Sequence, residues 1–215
     1  MREHATKSAY AASVLRRALS DGVYCAGDRL TTAKLAKELG LSMTPVREAL
    51  IELANEGLVE IAPHRGARVA EVPLADLSDV YLAREILESA ATRLAAPQLD
   101  AGTIKELRRL HHAFVAAARA GDARALFKLN AEFHFAIYEA AHSPLLSRLI
   151  RTVWSSSPND TFRLIPDRAA RSVKDHSAIL KALIAGDARA AEAVMRAHIH
   201  DALGLIRAYK RGRPR

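Results

Sequence analysis

The sequence predicts a mainly α-helical protein with two domains: an N-terminal domain of three helices and a β-hairpin, and a C-terminal all-α antiparallel bundle of about six helices. Two observations support this division. Glycine and proline are dense between residues 22 and 73, whereas long stretches rich in alanine, leucine and arginine follow. Apolar residues recur at helical spacing in both parts, and a short alternating stretch indicates the hairpin. The predicted boundaries are residues 1–71 for the first domain, 72–76 for a linker, 77–206 for the bundle and 207–215 for a basic tail.

The hairpin of the first domain follows three short predicted helices. Ser42 precedes the third helix as its N-cap, and Pro45 lies in the first turn, where a missing N–H costs little. Apolar and polar residues alternate on both sides of the turn His64-Arg65-Gly66. Three helices and a hairpin in this order predict a winged helix-turn-helix. The helices are expected at residues 7–21, 32–39 and 43–55, and the strands within 58–62 and 67–69.

The second domain is expected to be helical throughout. The sequence T-I-K-E places Thr103 and Glu106 as a capping box at the start of a helix that ends near residue 120. Two Gly-Asp pairs each end one helix with a left-handed glycine and begin the next with an aspartate N-cap. Residues 155–168 form the only long break in the helical pattern. The Gly-Asp pairs are Gly121-Asp122 and Gly186-Asp187.

The positive charge of the chain is concentrated at its C-terminal end. The 215 residues include 32 Lys and Arg and 24 Asp and Glu, a formal net charge of +8, of which +5 lies in the last nine residues, RAYKRGRPR. A DNA-binding surface on the nearly neutral first domain must therefore depend on local positions and not on bulk charge. Apolar runs are too short for a membrane span, the N-terminus lacks the apolar stretch of a signal peptide, and the single cysteine, Cys25, excludes an intramolecular disulfide. These features predict a soluble cytoplasmic protein.

Several polar residues lie at the start of the third predicted helix and at the hairpin tip. Ser42 and Thr44 are placed where free backbone N–H groups and the helix dipole favour a phosphate. Arg47 lies on the same early turns and can reach a guanine edge or a phosphate. Arg65 and Gly66 at the hairpin tip can approach the minor groove or the DNA backbone.

A longer pattern of residues runs through the whole first domain. Its members are Gly27-Asp28-Arg29-Leu30, Leu35-Ala36, Leu39-Gly40-Leu41-Ser42, Thr44-Pro45-Val46-Arg47-Glu48-Ala49-Leu50, Leu53, Glu56-Gly57-Leu58 and Arg65-Gly66. With these residues the domain resembles the GntR family of bacterial transcription regulators. The resemblance implies a homodimer that binds a palindromic operator in double-stranded DNA. The family usually has arginine where this chain has Met43, and an acid–arginine pair at Thr32-Ala33, for which Lys34 or Lys37 can compensate. The predicted DNA-binding residues are Lys34, Ser42, Met43, Thr44, Arg47, Arg65 and Gly66.

Three histidines and one asparagine of the second domain stand out by their context. Asn130 and His134 are four residues apart, so they share one helix face. His176 follows the long break and opens an apolar run, and His198 lies near the end of the final helix. The alternative interpretation is that each histidine is an ordinary core or surface residue with satisfied hydrogen bonds, and for a single histidine this is favoured over a metal ligand. His142 and His200 remain alternatives within the same set.

These residues belong to a second pattern that spans the helical domain: Tyr81, Arg84 and Glu88; Asn130; Phe133-His134; Asp175-His176; Ile179-Leu180; Gly186-Asp187; and Met195 with His198. With them the domain resembles the FCD effector-binding domain of one GntR branch. The resemblance implies one bound divalent metal. Zinc is the leading prediction, and nickel or another borderline metal is the alternative. The resemblance also implies a small organic acid at the open coordination positions, paired with Arg84. The implied metal ligands are Asn130, His134, His176 and His198. The family usually has aspartate at position 130, so the neutral amide predicts weaker metal binding.

The leading functional prediction is a DNA-binding transcription regulator, not an enzyme, whose operator affinity changes when a small carboxylate binds at the metal site. Two alternatives stay open: a metal-dependent hydrolase, and a metal sensor for which the ion is the signal. The chain has no HExxH motif and no carboxylate that stands out as a general base, which argues against the hydrolase. Residues Lys210–Arg215 resemble an AT-hook, with a solvated disordered end as the alternative.

Overall fold

The computed structural model describes residues 6–20, 23–24, 27–62, 66–70, 76–157, 161–165 and 167–212. The contacts within the chain divide it into two compact units, Met1–Val72 and Pro73–Arg215. The first unit contains α1 (Lys7–Ser20), β1 (Arg29–Leu30), α2 (Thr32–Leu39), α3 (Met43–Asn55), β2 (Val59–Ala62) and β3 (Gly66–Val69). The second contains α4 (Asp76–Ala95), a 3₁₀ turn (Ala96–Gln98), α5 (Ala101–Ala120), α6 (Ala123–Glu139), α7 (Pro144–Ser155), α8 (Thr161–Leu164), α9 (Arg168–Ile184) and α10 (Ala188–Arg211).

The turn between α2 and α3 positions the third helix of the first unit. Gly40 ends α2 in the left-handed conformation, with φ of 65°, and its N–H bonds back to the last turn. Ser42 occupies the N-cap position of α3, as predicted, but its side chain makes no capping hydrogen bond. One face of α3 packs into the core of the unit, alongside α1. The buried residues of α3 are Pro45, Val46, Ala49, Leu50 and Leu53.

The wing is a three-stranded antiparallel sheet with strand order β1-β3-β2, where the sequence predicted two strands. The additional strand, β1, has only two residues, which is too short to show an alternating pattern. Arg29 of β1 pairs with Arg68 of β3, and Arg68 pairs in turn with Glu60 of β2. Leu30 and Ala67 are buried in the core of the unit, so the sheet has one apolar face and one charged face.

Six long helices form the second unit, which confirms the predicted helical bundle. The helix α4 packs against α10 and α7, α5 packs against α6 and α9, and α9 also packs against α10. Within the predicted break at residues 155–168, the structure has the four-residue helix α8, while residues 158–160 and 166 lie outside the described part. Among the described helices, none is long and apolar enough to span a bilayer.

The helix caps of the second unit differ from the prediction at one position. Asp122 and Asp187 accept hydrogen bonds from the N–H groups of Ala125 and Ala190, both at 2.9 Å, as the Gly-Asp pairs predicted. The capping box of Thr103 and Glu106 is wrong, because Asp100 caps α5 and accepts from the N–H of Thr103 at 2.6 Å. The Glu106 carboxylate instead pairs with Arg109 at 2.6 Å. The aspartate therefore starts this helix before the predicted threonine.

Candidate DNA-binding surface and metal centre

The N-terminal part of α3 presents its polar residues to solvent. Ser42, Met43, Thr44 and Arg47 are all exposed, while the apolar residues between them are buried. The Ser42 hydroxyl is not used as a cap, so it can bind an external phosphate. The structure therefore brings these four predicted residues together on one exposed surface of a helix that is anchored by its other face.

Two further predicted DNA-binding residues lie outside α3. Lys34 is exposed on α2 and forms an ion pair with Glu38 at 3.8 Å. Gly66 begins β3 with φ of 81°, a left-handed conformation that favours glycine. Arg65 lies outside the described residues. Ion pairs between exposed groups are weak, so the Lys34 ammonium can exchange Glu38 for a DNA phosphate.

The charged face of the wing contains two arginines that the sequence reasoning did not single out. Arg29 and Arg68 are exposed and lie directly opposite each other on β1 and β3. Like charges in such a pair repel each other, and a phosphate between them would relieve the repulsion. The alternation of Ala67-Arg68-Val69 is a signal that could have indicated an outward Arg68. Arg29 could not be placed in this way, because its position depends on strand β1.

In the second unit, the structure brings three predicted metal ligands together. His134 on α6, His176 on α9 and His198 on α10 are buried, and one ring nitrogen from each lies within 4.8 Å of the others. Their ring centroids are 5.1 to 5.3 Å apart. Below, these three residues are called the histidine cluster. By contrast, His142 is exposed, and His200 is an exposed residue whose Nδ1 lies 3.1 Å from Glu85.

Hydrogen bonds orient two of the three imidazoles. Nδ1 of His134 lies 2.9 Å from the Tyr138 hydroxyl, and Nδ1 of His198 lies 2.9 Å from Oδ2 of Asp175. Since Nδ1 is engaged in both rings, Nε2 remains for a ligand, and Nε2 of His134 is buried with no partner in the part of the chain that the structure describes. His176 stacks on Phe133 at 4.5 Å, and neither of its nitrogens has a hydrogen-bond partner among the described residues.

Burial keeps the histidine cluster neutral. It lowers the pKa of His134 and His176 well below the usual value, and mutual repulsion between the imidazoles adds to this effect. Burial also lowers the pKa of His198, although the hydrogen bond to Asp175 opposes the shift. Neutral imidazoles have free lone pairs, which is the protonation state that metal binding requires.

Asn130 lies on α6, one helical turn before His134, and its side-chain oxygen also lacks a hydrogen-bond partner among the described residues. The residue is 8% exposed, and its Oδ1 is buried. Unpartnered buried polar atoms are rare in folded proteins. The orphaned acceptor atoms of Asn130, His134 and His176 therefore fit a bound cation, and imidazole nitrogens with one amide oxygen suit a borderline divalent metal.

The predicted effector residue, Arg84, lies on α4 in a buried ion pair. Its Nε donates to Glu88 at 2.6 Å, and its guanidinium lies 4.8 Å from the ring centre of Tyr81 and 4.7 Å from that of Trp154. Burial lowers the pKa of Arg84, but the Glu88 carboxylate together with Tyr81 and Tyr138 outweighs burial, so the pKa is raised. The Tyr138 hydroxyl donates to the other oxygen of Glu88, so Tyr138 connects this pair with His134.

Family models match both units of the chain. The model described as "Bacterial regulatory proteins, gntR family" matches residues 7–69, and the FCD domain model matches residues 79–201, more than half of the chain.

The chain belongs to the GntR family.

Known relatives and a solved structure agree with this assignment. The GntR-family chain is 35% identical over 140 residues to the HTH-type transcriptional regulator McbR of Escherichia coli K12, a match that covers 65% of this chain and just under two thirds, 63%, of the relative. It is 30% identical over 203 residues to the Uxu operon transcriptional regulator of the same organism, covering 83% of this chain and 78% of the relative. The solved structure of E. coli McbR/YncC has a TM-score of 0.82 at 28% identity and covers 95% of this chain and 99% of that one.

The family and these relatives are transcriptional regulators, which confirms the prediction that this GntR-family chain is not an enzyme. The hydrolase alternative is therefore wrong. Three residues beside the site were not among the predicted site residues: Tyr138, Trp154 and Arg168. Only the fold shows that their polar atoms are buried beside the histidine cluster or the Arg84–Glu88 pair.

Proposed function

We propose that this GntR-family protein binds operator DNA and changes its DNA affinity when a small organic acid binds at a divalent-metal site in the helical unit. The single observation that carries the proposal is the histidine cluster, whose three imidazoles are buried and converge on one point. Among the described residues, ring nitrogens of His134 and His176 and the side-chain oxygen of Asn130, one turn before His134, have no hydrogen-bond partner. A core that only needed to be stable would leave fewer such atoms unsatisfied.

For the DNA-binding unit, we assign phosphate and base contacts to the exposed start of α3 and to the wing. A regulator with one winged helix per chain reads a palindromic operator as a homodimer, because the two-fold axis of the protein matches that of the DNA. The proposed domain limits are 1–71, a linker at 72–76, 77–206, and a basic tail at 207–215; the proposed location is the cytoplasm. The proposed contacts come from Lys34, Ser42, Met43, Thr44, Arg47, Arg65 and Gly66.

For the metal, we assign Asn130, His134, His176 and His198 as the protein ligands. Zinc is the first choice because it accepts imidazole nitrogen and amide oxygen without a strict geometric preference, and nickel is the main alternative. When bound, the ion supplies a Lewis-acidic centre to which a carboxylate can coordinate. Asn130 is neutral, so this ligand set leaves the full charge of the cation for an anionic effector to balance.

For the effector, we assign a positioning and hydrogen-bonding role to Arg84, whose charge Glu88 balances. Its guanidinium lies against the rings of Tyr81 and Trp154 and is paired with Glu88. Its Nη1 donates to the Ser157 hydroxyl at a long 3.4 Å. A carboxylate in reach of Nη1 would form a stronger, charge-assisted hydrogen bond than the serine does. Because α6, α9 and α10 all contribute to the histidine cluster, a ligand bound there favours one packing of these helices over others.

The proposal is tested by metal analysis and DNA binding on the full chain. An operator is first selected from random duplex DNA, and fluorescence anisotropy then measures affinity with zinc-loaded protein across a panel of carboxylates. We expect about one zinc per chain, lost in His134→Ala, His176→Ala and His198→Ala but retained in the exposed control His200→Ala. At least one acid should change operator affinity about fivefold or more.

Each of the other outcomes removes a defined part of the proposal. Protein that binds zinc no better than the His176→Ala variant excludes the metal site. Operator affinity that follows free zinc but ignores every acid identifies the ion itself as the signal, which is the metal-sensor alternative. Operator affinity that is indifferent to both removes the ligand response altogether.

A further inference from the structure

Among the described residues of the helical unit, the buried Arg168 has no acidic group within ion-pairing distance. Arg168, the first residue of α9, is 7% exposed, and its Nε has no hydrogen-bond partner among the described residues. The one hydrogen bond of the Arg168 side chain to the described residues goes from Nη1 to the hydroxyl of Ser172 at 2.7 Å. The guanidinium lies 5.4 Å from the ring centre of Phe162. Burying a charge is costly unless it is paired, and the described residues leave the charge of Arg168 without such a pair.

The Arg168 side chain is directed along α9 towards the histidine cluster. Arg168, Ser172 and His176 follow one another at four-residue intervals, and all three are buried on the same side of the helix. Since Nη1 bonds to Ser172, the guanidinium lies about one helical turn, roughly 5–6 Å along the axis, from His176. An aromatic series completes the connection: Phe162 contacts Phe114 at 5.7 Å, and Phe114 contacts His176 at 4.7 Å.

The unpartnered atoms around the histidine cluster fall into two chemical classes. Nitrogens of His134 and His176 and the oxygen of Asn130 offer lone pairs, which suit a cation. Nε of Arg168 and Nε1 of Trp154 are N–H donors only, which suit an anion. The Trp154 ring lies 5.6 Å from that of His134, so this second donor also adjoins the cluster.

The charges of the site distinguish Arg168 from Arg84. Glu88 already neutralises Arg84 at 2.6 Å, whereas the described residues offer no carboxylate within ion-pairing distance of Arg168. A divalent cation on three neutral imidazoles and an amide keeps its charge of +2, Arg168 adds one positive charge, and Asp175 beside His198 offsets one. The balance favours a ligand with two negative charges.

We propose that Arg168 binds a second carboxylate of the effector, so that the ligand class is a small dicarboxylate with one end at the metal and the other at this guanidinium. This inference rests on the proposed function, because it needs the metal site to bind the first carboxylate. Trp154 contributes an N–H donor to the same ligand.

The test compares acids of equal chain length and different charge. Isothermal titration calorimetry on zinc-loaded, full-length protein measures three pairs: butyrate and succinate, valerate and glutarate, hexanoate and adipate. We expect the diacid of at least one pair to bind about tenfold or more tightly than its monoacid, and this preference to disappear in Arg168→Met. The control is Arg171→Met, which removes an exposed arginine from the same helix.

A thermal melt of the ligand-free protein separates a binding role from a structural one. Arg168→Met removes a buried charge that no described carboxylate neutralises, so the melting temperature should stay the same or rise, as is common for residues kept for function. A variant that melts at lower temperature but keeps the preference for diacids would show that Arg168 serves packing only, and the inference would be overturned. Wild-type protein that binds zinc and takes each monoacid as tightly as its diacid would overturn it too, and would leave the proposed function intact. Failure to bind zinc or any of the six acids would overturn both.

Discussion

Oδ2 of Asp175 lies 2.9 Å from Nδ1 of His198, so a carboxylate on α9 holds an imidazole on α10. The contact selects the tautomer of His198 in which Nδ1 carries the proton and Nε2 keeps its lone pair. Asp175 therefore acts on the proposed metal through His198, as a positioning residue.

Removing this carboxylate should weaken the metal site without destroying it. We expect Asp175→Ala to lower zinc affinity by about 10–100-fold, since the imidazole loses both its orientation and part of its basicity. Competition with a fluorescent chelator measures the change. Asp201→Ala, which alters an exposed aspartate of α10, should leave zinc affinity unchanged. Equal affinities in the two variants would show that the Asp175 contact does not orient the ligand.

The Tyr138 hydroxyl should contribute measurably to stability. It donates to Glu88, whose carboxylate is 0% exposed, and it lies 2.9 Å from Nδ1 of His134. Tyr138→Phe leaves both groups short of a partner, and we expect a loss of about 1–3 kcal/mol in the free energy of unfolding of the helical unit. Chemical denaturation followed by the fluorescence of Trp154, the only tryptophan, measures it. In a Glu88→Gln background the same substitution should cost less, because the two residues share one hydrogen bond; additive losses would contradict the contact.

The metal-free helical unit should lose stability in mild acid. Burial lowers the pKa of His134, His176 and His198 below the usual 6.5. In mild acid the unfolded chain therefore binds protons that the folded chain does not bind. The free energy of unfolding is thus highest above about pH 6.5 and falls below it, by up to about 2 kcal/mol per buried imidazole between pH 7.5 and pH 5. Thermal melts in the presence of a chelator measure the slope.

One variant identifies the histidine cluster as the source of that slope. His176→Phe keeps an aromatic ring against Phe133 and removes one buried titrating group, so the dependence of melting temperature on pH should become shallower. The matched control is a substitution at exposed His200, His200→Gln. A slope that is the same in wild type and His176→Phe would place the acid sensitivity elsewhere in the chain.

Arg47 should contribute to the sequence preference of DNA binding. It is exposed on the second turn of α3, where a bidentate contact with a guanine edge is worth about 1–3 kcal/mol. We expect Arg47→Ala to weaken binding to the selected operator about 10–100-fold and binding to a scrambled duplex much less, as measured by fluorescence anisotropy. The control is Arg119→Ala, which removes an exposed arginine from α5. An equal loss on both duplexes would assign Arg47 to a phosphate and not to a base.

Local signals in the sequence predicted the helices well. Gly40 and Ser42 delimit α2 and α3, and the helices end and begin where these residues predict. The Gly-Asp pairs were equally informative, because a left-handed glycine and an aspartate cap act within one turn. The two-residue strand β1 could not be predicted, since it depends entirely on pairing with β3. The N-cap of α5 is Asp100 and not Thr103. Both residue types favour this position, so spacing alone does not show which of them caps the helix.

The candidate site was predictable only in part. His134, His176 and His198 were found by resemblance, and their proximity in the fold agrees with it. The significance of Arg168 depends on which groups pack beside it, and the described residues offer it no carboxylate. That is a property of the packed unit and not of the sequence around it. Tyr138 likewise has the spacing of an ordinary core aromatic, and its link between Glu88 and His134 appears only in three dimensions.

The three helices that supply the histidine cluster are far apart along the chain. An ion held by His134, His176 and His198 would cross-link α6, α9 and α10 and close two loops of about 40 and about 20 residues, much as a pair of disulfides would. Chain segments tied in this way open less often and are cleaved more slowly by proteases. The cellular supply of the metal would then set how long each copy of the protein survives, in addition to which acids it can bind.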